Sequence, residues 1–135
     1  MKSVLFVCVE NACRSQMAEG FARVIADFPL RVASGGTKPA PAVDPNAVAV
    51  MAEVGIDISG HTPKPIQLDE VGDYDYVITM GCGVEGICPA GFIGTSIDWN
   101  IPDPKGKGIS EFRRVRDLIR DKVEELLERI VKEEQ

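Results

Sequence analysis

Short, wholly apolar runs alternate along this chain with longer stretches in which apolar residues recur every three or four positions. Val4–Val7 is a continuous apolar run, as in a strand buried on both faces. From Ser15 to about Phe28, Met17, Phe21, Val24, Ile25 and Phe28 fall at helical spacing, and Pro29 halts the pattern. Leu30–Ser34 is expected to be a second strand, ending at Gly35-Gly36. Asp44 followed by Pro45 reads as an N-cap and a first-turn proline, so a helix is expected over Pro45–Val54, closed by Gly55. A turn-rich stretch covers Ile56–Pro65, with a short helix expected over Gln67–Val71. Third and fourth strands are expected over Tyr74–Met80 and Thr95–Trp99. Ser110 is expected to cap a last helix reaching about Lys132, striped by Phe112, Val115, Leu118, Ile119, Val123, Leu126, Leu127 and Ile130.

Strands that alternate with helices imply a parallel sheet, because parallel neighbours need a crossover that is usually helical. Four strands at this length predict a small three-layer, doubly wound α/β fold, strand order 2-1-3-4, with helices on both faces. In that order the chain reverses direction between strands 1 and 3, and ligands bind at such a switch point beyond the C-terminal strand ends. The loop after strand 1 begins at Cys8 and the loop after strand 3 holds Cys82. Neighbouring strands lie about 4.8 Å apart, so this topology brings the two thiols together across 73 intervening residues. The loop after strand 4 opens on the same edge and carries Asp103.

Composition narrows the choices. At 135 residues, one domain over residues 1–135 is the expectation. The net charge of −6 argues against nucleic acid as a partner, since that usually needs a basic face. No stretch approaches the roughly 18 apolar residues of a membrane helix, so no membrane partner is expected. The chain runs into strand 1 directly after Met1-Lys2-Ser3, which suggests no signal peptide and a cytoplasmic location. Four cysteines (Cys8, Cys13, Cys82 and Cys88) in a reducing compartment point to catalysis or redox chemistry rather than structural disulfides. Their spacings are wider than zinc knuckles use, and the one histidine, His61, sits in a Pro/Gly-rich loop, so no metal is expected.

The chemistry concentrates in Cys8-Val9-Glu10-Asn11-Ala12-Cys13-Arg14-Ser15. A strand that ends in a thiol, then a short loop, then a helix start makes an oxyanion site. The amides of Val9, Glu10, Asn11, Ala12, Cys13 and Arg14 can point at the anion, and the helix dipole favours negative charge there. The Arg14 guanidinium adds a planar fork for two oxygens. Cys8 would lie beneath the central atom as a nucleophile, its thiolate favoured by loop amides, Arg14 and a hydroxyl hydrogen bond from Ser15. Asn11 suits such a loop because it tolerates left-handed backbone geometry. Asp103 is the candidate general acid for the departing oxygen. Asp98 competes for that role but lies inside strand 4.

The run from Val4 through Gly20 resembles the phosphate-loop signature of low-molecular-weight protein tyrosine phosphatases. It resembles still more the thioredoxin-coupled arsenate reductases that share their fold. Val77-Ile78-Thr79-Met80-Gly81-Cys82 and Cys88-Pro89 resemble the second and third redox cysteines of those reductases, and Asp98-Trp99 through Asp103-Pro104 their tryptophan-then-Asp-Pro segment. The resemblance implies an arsenate (or phosphate) substrate held by the loop and Arg14, attacked by Cys8 and protonated by Asp103. It further implies a Cys8–Cys82 disulfide, its transfer to Cys82–Cys88, and reduction by thioredoxin or a similar thiol reductant. No cofactor is implied.

Two features depart from the pattern. Glu10 stands where those families usually carry a small residue, and a carboxylate there opposes a thiolate unless it points to solvent. Lys105-Gly106 follows Asp103-Pro104, where the phosphatases usually place ring-stacking tyrosines. The alternative is a phosphatase that uses Cys8, Arg14 and Asp103 through a phosphocysteine and needs neither Cys82 nor Cys88. A non-enzymatic oxyanion carrier would need neither Asp103 nor a relay. Cys13 reads as helix packing more readily than as a redox partner of Cys8, His61 as a solvated loop residue, and Trp99 as core or rim packing.

Overall fold

A computed structural model describes residues 1–81 and 92–134; Cys82 and Cys88 lie outside the described residues. Strand β1 (Lys2–Cys8) is central, paired in parallel with β2 (Leu30–Gly36) on one side and β3 (Tyr76–Thr79) on the other. β4 (Thr95–Asp98) adds to the far side of β3, giving the order β2-β1-β3-β4 that the sequence predicts. The continuous apolar run follows from this placement. With neighbours on both sides and layers above and below, Val4, Leu5, Phe6 and Val7 are all buried.

The two faces are covered unequally. Val4, Phe6 and Cys8 share one core with α1 (Arg14–Ile25), α2 (Pro45–Glu53) and α3 (Ile109–Glu134). Leu5, Val7 and Val77 face the other way, under the 3-10 turn Val71–Asp73 and Tyr74. α3 buries Phe112, Val115, Ile119, Val123, Leu126, Leu127 and Ile130, the stripe read from the sequence except Leu118, which is half-buried against the same core. Asp44 caps α2 as expected, its carboxylate accepting from the Asn46 amide at 2.9 Å.

Several boundaries differ from expectation. α1 begins one residue earlier and stops at Ile25, because Ala26 turns extended (φ −61°, ψ 123°). Phe28 therefore packs on the core from outside the helix. The helix expected over Gln67–Val71 is absent; Leu68 is largely exposed and only Val71 is buried, so no amphipathic face exists to stabilise one. Ser110 lies inside α3 rather than capping it, since the Phe112 amide already bonds the Gly108 carbonyl. β3 is shorter than predicted at both ends, with Asp75 diverted to accept the Ser3 amide at 2.9 Å. The C-terminal ends of β1, β3 and β4 open on one edge, tied there by Met80 N–H to Val7 O and Ile101 N–H to Met80 O.

Candidate active site

Cys8 is the last residue of β1 and is almost fully buried. The chain then turns through Val9–Cys13 into α1. Segment 37–44 wraps the outside of this turn and consumes its carbonyls. The amides of Thr37, Lys38, Ala40 and Asp44 donate to the carbonyls of Cys8, Val9, Glu10 and Ala12, at 2.8–3.3 Å. With the carbonyls held outward, the amides of Val9, Glu10, Ala12 and Cys13 have no acceptor among the described residues, the arrangement an oxyanion needs. Gly36 makes the close approach of β2 possible. A Cβ there would stand 2.6 Å from the Val9 carbonyl oxygen and 2.9 Å from the Asn11 nitrogen.

The turn is fixed from within by Asn11, which adopts φ +52°. Its amide N–H donates to Cys8 Sγ at 3.2 Å. Its side-chain NH₂ donates to Ser15 Oγ (2.7 Å) and Ser34 Oγ (3.0 Å), while its Oδ1 accepts from Gln16 Nε2 (2.9 Å) and the Lys64 amide (3.0 Å). Because Asn11 donates to Ser15 Oγ, the Ser15 proton is free to point at Cys8 Sγ, 2.9 Å away. The sulfur thus receives two donors, as a thiolate requires. The Ser34 hydroxyl in turn donates a hydrogen bond to Glu19 Oε1. Burial of Glu19 disfavours its charge, yet Ser34, Lys64 and Arg23 together hold its carboxyl below the ordinary carboxylate range. His61 is not a solvated loop residue: its Nδ1 lies 2.9 Å from Gln16 Oε1, which anchors it to the same network.

Arg14 opens α1 and is 8% exposed. Its Nη1 donates to the carbonyls of Met80 (2.9 Å) and Ile101 (2.8 Å), so the loops after β3 and β4 aim the guanidinium. Nε is buried without a partner among the described residues, and Nη2 stands 3.8 Å from Asp103 Oδ2. Asp103 reaches the cleft from the loop after β4, and its carboxylate is half exposed. Asp98 does not line the cleft; its carboxylate accepts from Thr79 Oγ1 and the Asn100 amide. Cys13 Sγ lies 3.8 Å from Asp103 Oδ1. Burial first, then the Asp103 charge, pushes the Cys13 thiol up to about 12, so it remains protonated at neutral pH. Glu10 turns its carboxylate to Lys105 rather than to the anion loop.

Cys8, Val9, Glu10, Ala12, Cys13, Arg14 and Asp103 line one cleft of about 930 Å³, joined by Gly81 and Lys105. The expected Cys82 and Cys88 fall outside the described residues, but Gly81, the last described residue before them, forms part of the wall. Among the described residues no group of three or more His, Cys, Asp or Glu could hold a metal ion, and no helix is long and apolar enough to cross a membrane. Sequence reasoning missed Gln16, Glu19, Ser34, Gly36 and Lys64. Only the glycine pair at 35–36 and the polar Gln16 and Glu19 inside an apolar helical pattern hinted at them.

Comparison with known proteins gives a consistent picture. The family model described as "Low molecular weight phosphotyrosine protein phosphatase" matches residues 3–135. A glutaredoxin arsenate reductase of Synechocystis is 45% identical over 133 residues, covering 96% of this chain and 99% of the relative. A solved structure described as an arsenate reductase in the phosphate binding state superimposes with a TM-score of 0.85 at 44% identity, over 96% of this chain and 99% of that one. A thioredoxin-dependent arsenate reductase of Corynebacterium glutamicum gives a TM-score of 0.83 at 33% identity, covering 98% of this chain and 63% of that one.

Proposed function

This chain belongs to the low molecular weight phosphotyrosine protein phosphatase family, and from that membership we propose how its cleft works as an arsenate reductase. The enzyme converts arsenate to arsenite. Residues 1–135 form one catalytic domain. The amides of Val9, Glu10, Ala12 and Cys13 and the Arg14 guanidinium hold the oxyanion over Cys8 Sγ. The Cys8 thiolate, steadied by the Asn11 amide and the Ser15 hydroxyl, attacks arsenic. An As–O bond breaks as Asp103 gives its proton to the departing oxygen. Cys82 then attacks Cys8 Sγ. The S–As bond breaks with its electron pair left on arsenic, so arsenite departs and a Cys8–Cys82 disulfide remains. Cys88 attacks Cys82, freeing Cys8 and moving the disulfide to Cys82–Cys88. Arsenic gains two electrons and one dithiol loses two.

An external dithiol of the thioredoxin or glutaredoxin type reduces the final pair. Both kinds of coupling occur in the names of related proteins, which supports such a reductant and, with it, a cytoplasmic location. The observation that carries this reading is the position of Gly81. Gly81, the last described residue before Cys82, lines the wall of the cleft together with Cys8, which supports a role for Cys82 beside that sulfur. A phosphatase needs Cys8, Arg14 and Asp103 but nothing from that wall.

The test is arsenate-dependent NADPH oxidation, coupled in parallel to thioredoxin with its reductase and to glutathione with glutaredoxin. The wild type is expected to turn over in at least one system. Cys82→Ser is expected to abolish turnover, and Cys8→Ser to abolish both turnover and hydrolysis of an aryl phosphate. Brisk aryl phosphate hydrolysis with no arsenate turnover would sink the reductase assignment.

A further inference from the structure

Glu10 and Lys105, 95 residues apart, meet across the mouth of the cleft. Lys105 Nζ binds both carboxylate oxygens of Glu10, at 2.7 Å to Oε2 and closer to Oε1. Glu10 belongs to the anion loop. Lys105 follows Asp103 by two residues, and its backbone amide donates to Asp103 Oδ1 at 3.1 Å. One residue therefore grips both walls: its amide holds the Asp103 carboxylate, and its side chain crosses to the loop opposite. We propose that the Glu10–Lys105 bridge is a specificity latch that admits a free tetrahedral oxyanion and obstructs a phosphate ester. This rests on the reductase reading of the same cleft and names its substrate class.

A nucleophile at Cys8 displaces the group on the far side of the central atom, in line with the sulfur. That group sits beside the acid that protonates it, Asp103. For arsenate the departing group is a single oxygen and needs no further room. For an ester the oxygen carries a substituent that must continue outward past Asp103. Lys105, bridged to Glu10 and with its amide on Asp103, lines the cleft on the side of that acid, where it would meet such a substituent.

The pair also settles why a carboxylate is tolerated on an anion loop. Glu10 is cancelled by a cation rather than left facing the substrate. Exposed ion pairs add little to stability, so the bridge is poorly suited to a purely structural role. Its side chains are 31% and 60% exposed.

The experiment compares kcat/KM for p-nitrophenyl phosphate with kcat/KM for arsenate in four proteins: wild type, Glu10→Gln, Lys105→Met and the exchanged pair Glu10→Lys/Lys105→Glu. Each single variant is expected to raise the aryl-to-arsenate ratio by about tenfold, the size of a modest steric discrimination. The exchanged pair, which rebuilds the bridge in reverse, is expected to return the ratio towards wild type. Salt weakens exposed pairs, so raising ionic strength from about 0.05 to 0.5 M is expected to lift the ratio in wild type and leave both single variants flat. Thermal midpoints are measured alongside, because a structural role would move them together with both activities. An unchanged ratio in both single variants, or no recovery in the exchanged pair, overturns the latch. If the wild type reduces no arsenate, the reductase reading fails instead, and the aryl phosphate values alone still decide the latch.

Discussion

Asn11 organises the cleft without lining it. It satisfies Ser15, Ser34, Gln16 and the Lys64 amide from a left-handed backbone position. Asn11→Ala removes those partners and adds strain at φ +52°. A loss of about 2–4 kcal/mol in urea-unfolding free energy is expected, with arsenate turnover falling at least tenfold. Glycine there keeps the backbone but not the hydrogen bonds, so Asn11→Gly should recover part of the stability and little of the activity. Ser34 is a separate test through pH. Glu19 has a depressed folded-state pKa, so its stabilisation is present above the ordinary value of 4.5 and disappears as pH falls through the lower folded value. Ser34→Ala removes one cause of that depression. The variant should be about 1–3 kcal/mol less stable at pH 7, with the gap closing towards acid. A gap constant from pH 7 to pH 3 would contradict the assignment of Ser34 to Glu19.

At the scale of elements, the site is a junction in which β1 delivers the thiol, β2 supports the loop and α1 presents the guanidinium. The support is tight at Gly36, where an added Cβ would meet backbone rather than a yielding side chain. Gly36→Ala should therefore cost about 1–3 kcal/mol by overpacking and raise the arsenate KM more than it lowers kcat, read from steady-state kinetics. Much of this junction was legible in the chain itself. Cys8, Asn11, Arg14 and Ser15 fall within eight consecutive residues, and the change from a continuous apolar run to helical spacing marks the loop between them. What could not be read was whatever depends on distant partners. Glu19, Ser34 and Lys64 carry no local motif, and only the fold shows that Glu10 faces Lys105. Helix ends were missed for local reasons, as at Ala26, where the backbone turns extended before Pro29 intervenes.

For the molecule as a whole, strand order turns separate sequence segments into one chemical unit. The order β2-β1-β3-β4 puts the chain ends after β1, β3 and β4 on a single edge, and the Arg14 guanidinium bonds to carbonyls from the last two. The apolar runs and helical stripes contain enough information for that order; Cys82, which the same order is expected to bring near Cys8, lies outside the described residues. The thiols should differ sharply in behaviour. Cys13, its thiol pushed up to about 12, should resist alkylation in the native protein at pH 8 and react once the chain is unfolded, as peptide mass mapping can show. The most direct measurement of the central claim is a rapid alkylation quench after adding arsenate to the reduced enzyme without external reductant, followed by disulfide mapping. Wild type is expected to lose two thiols per chain and to accumulate a Cys82–Cys88 disulfide, and Cys88→Ser to stop at Cys8–Cys82. Four free thiols remaining in wild type after arsenate, with Cys8 still alkylatable, would contradict that claim.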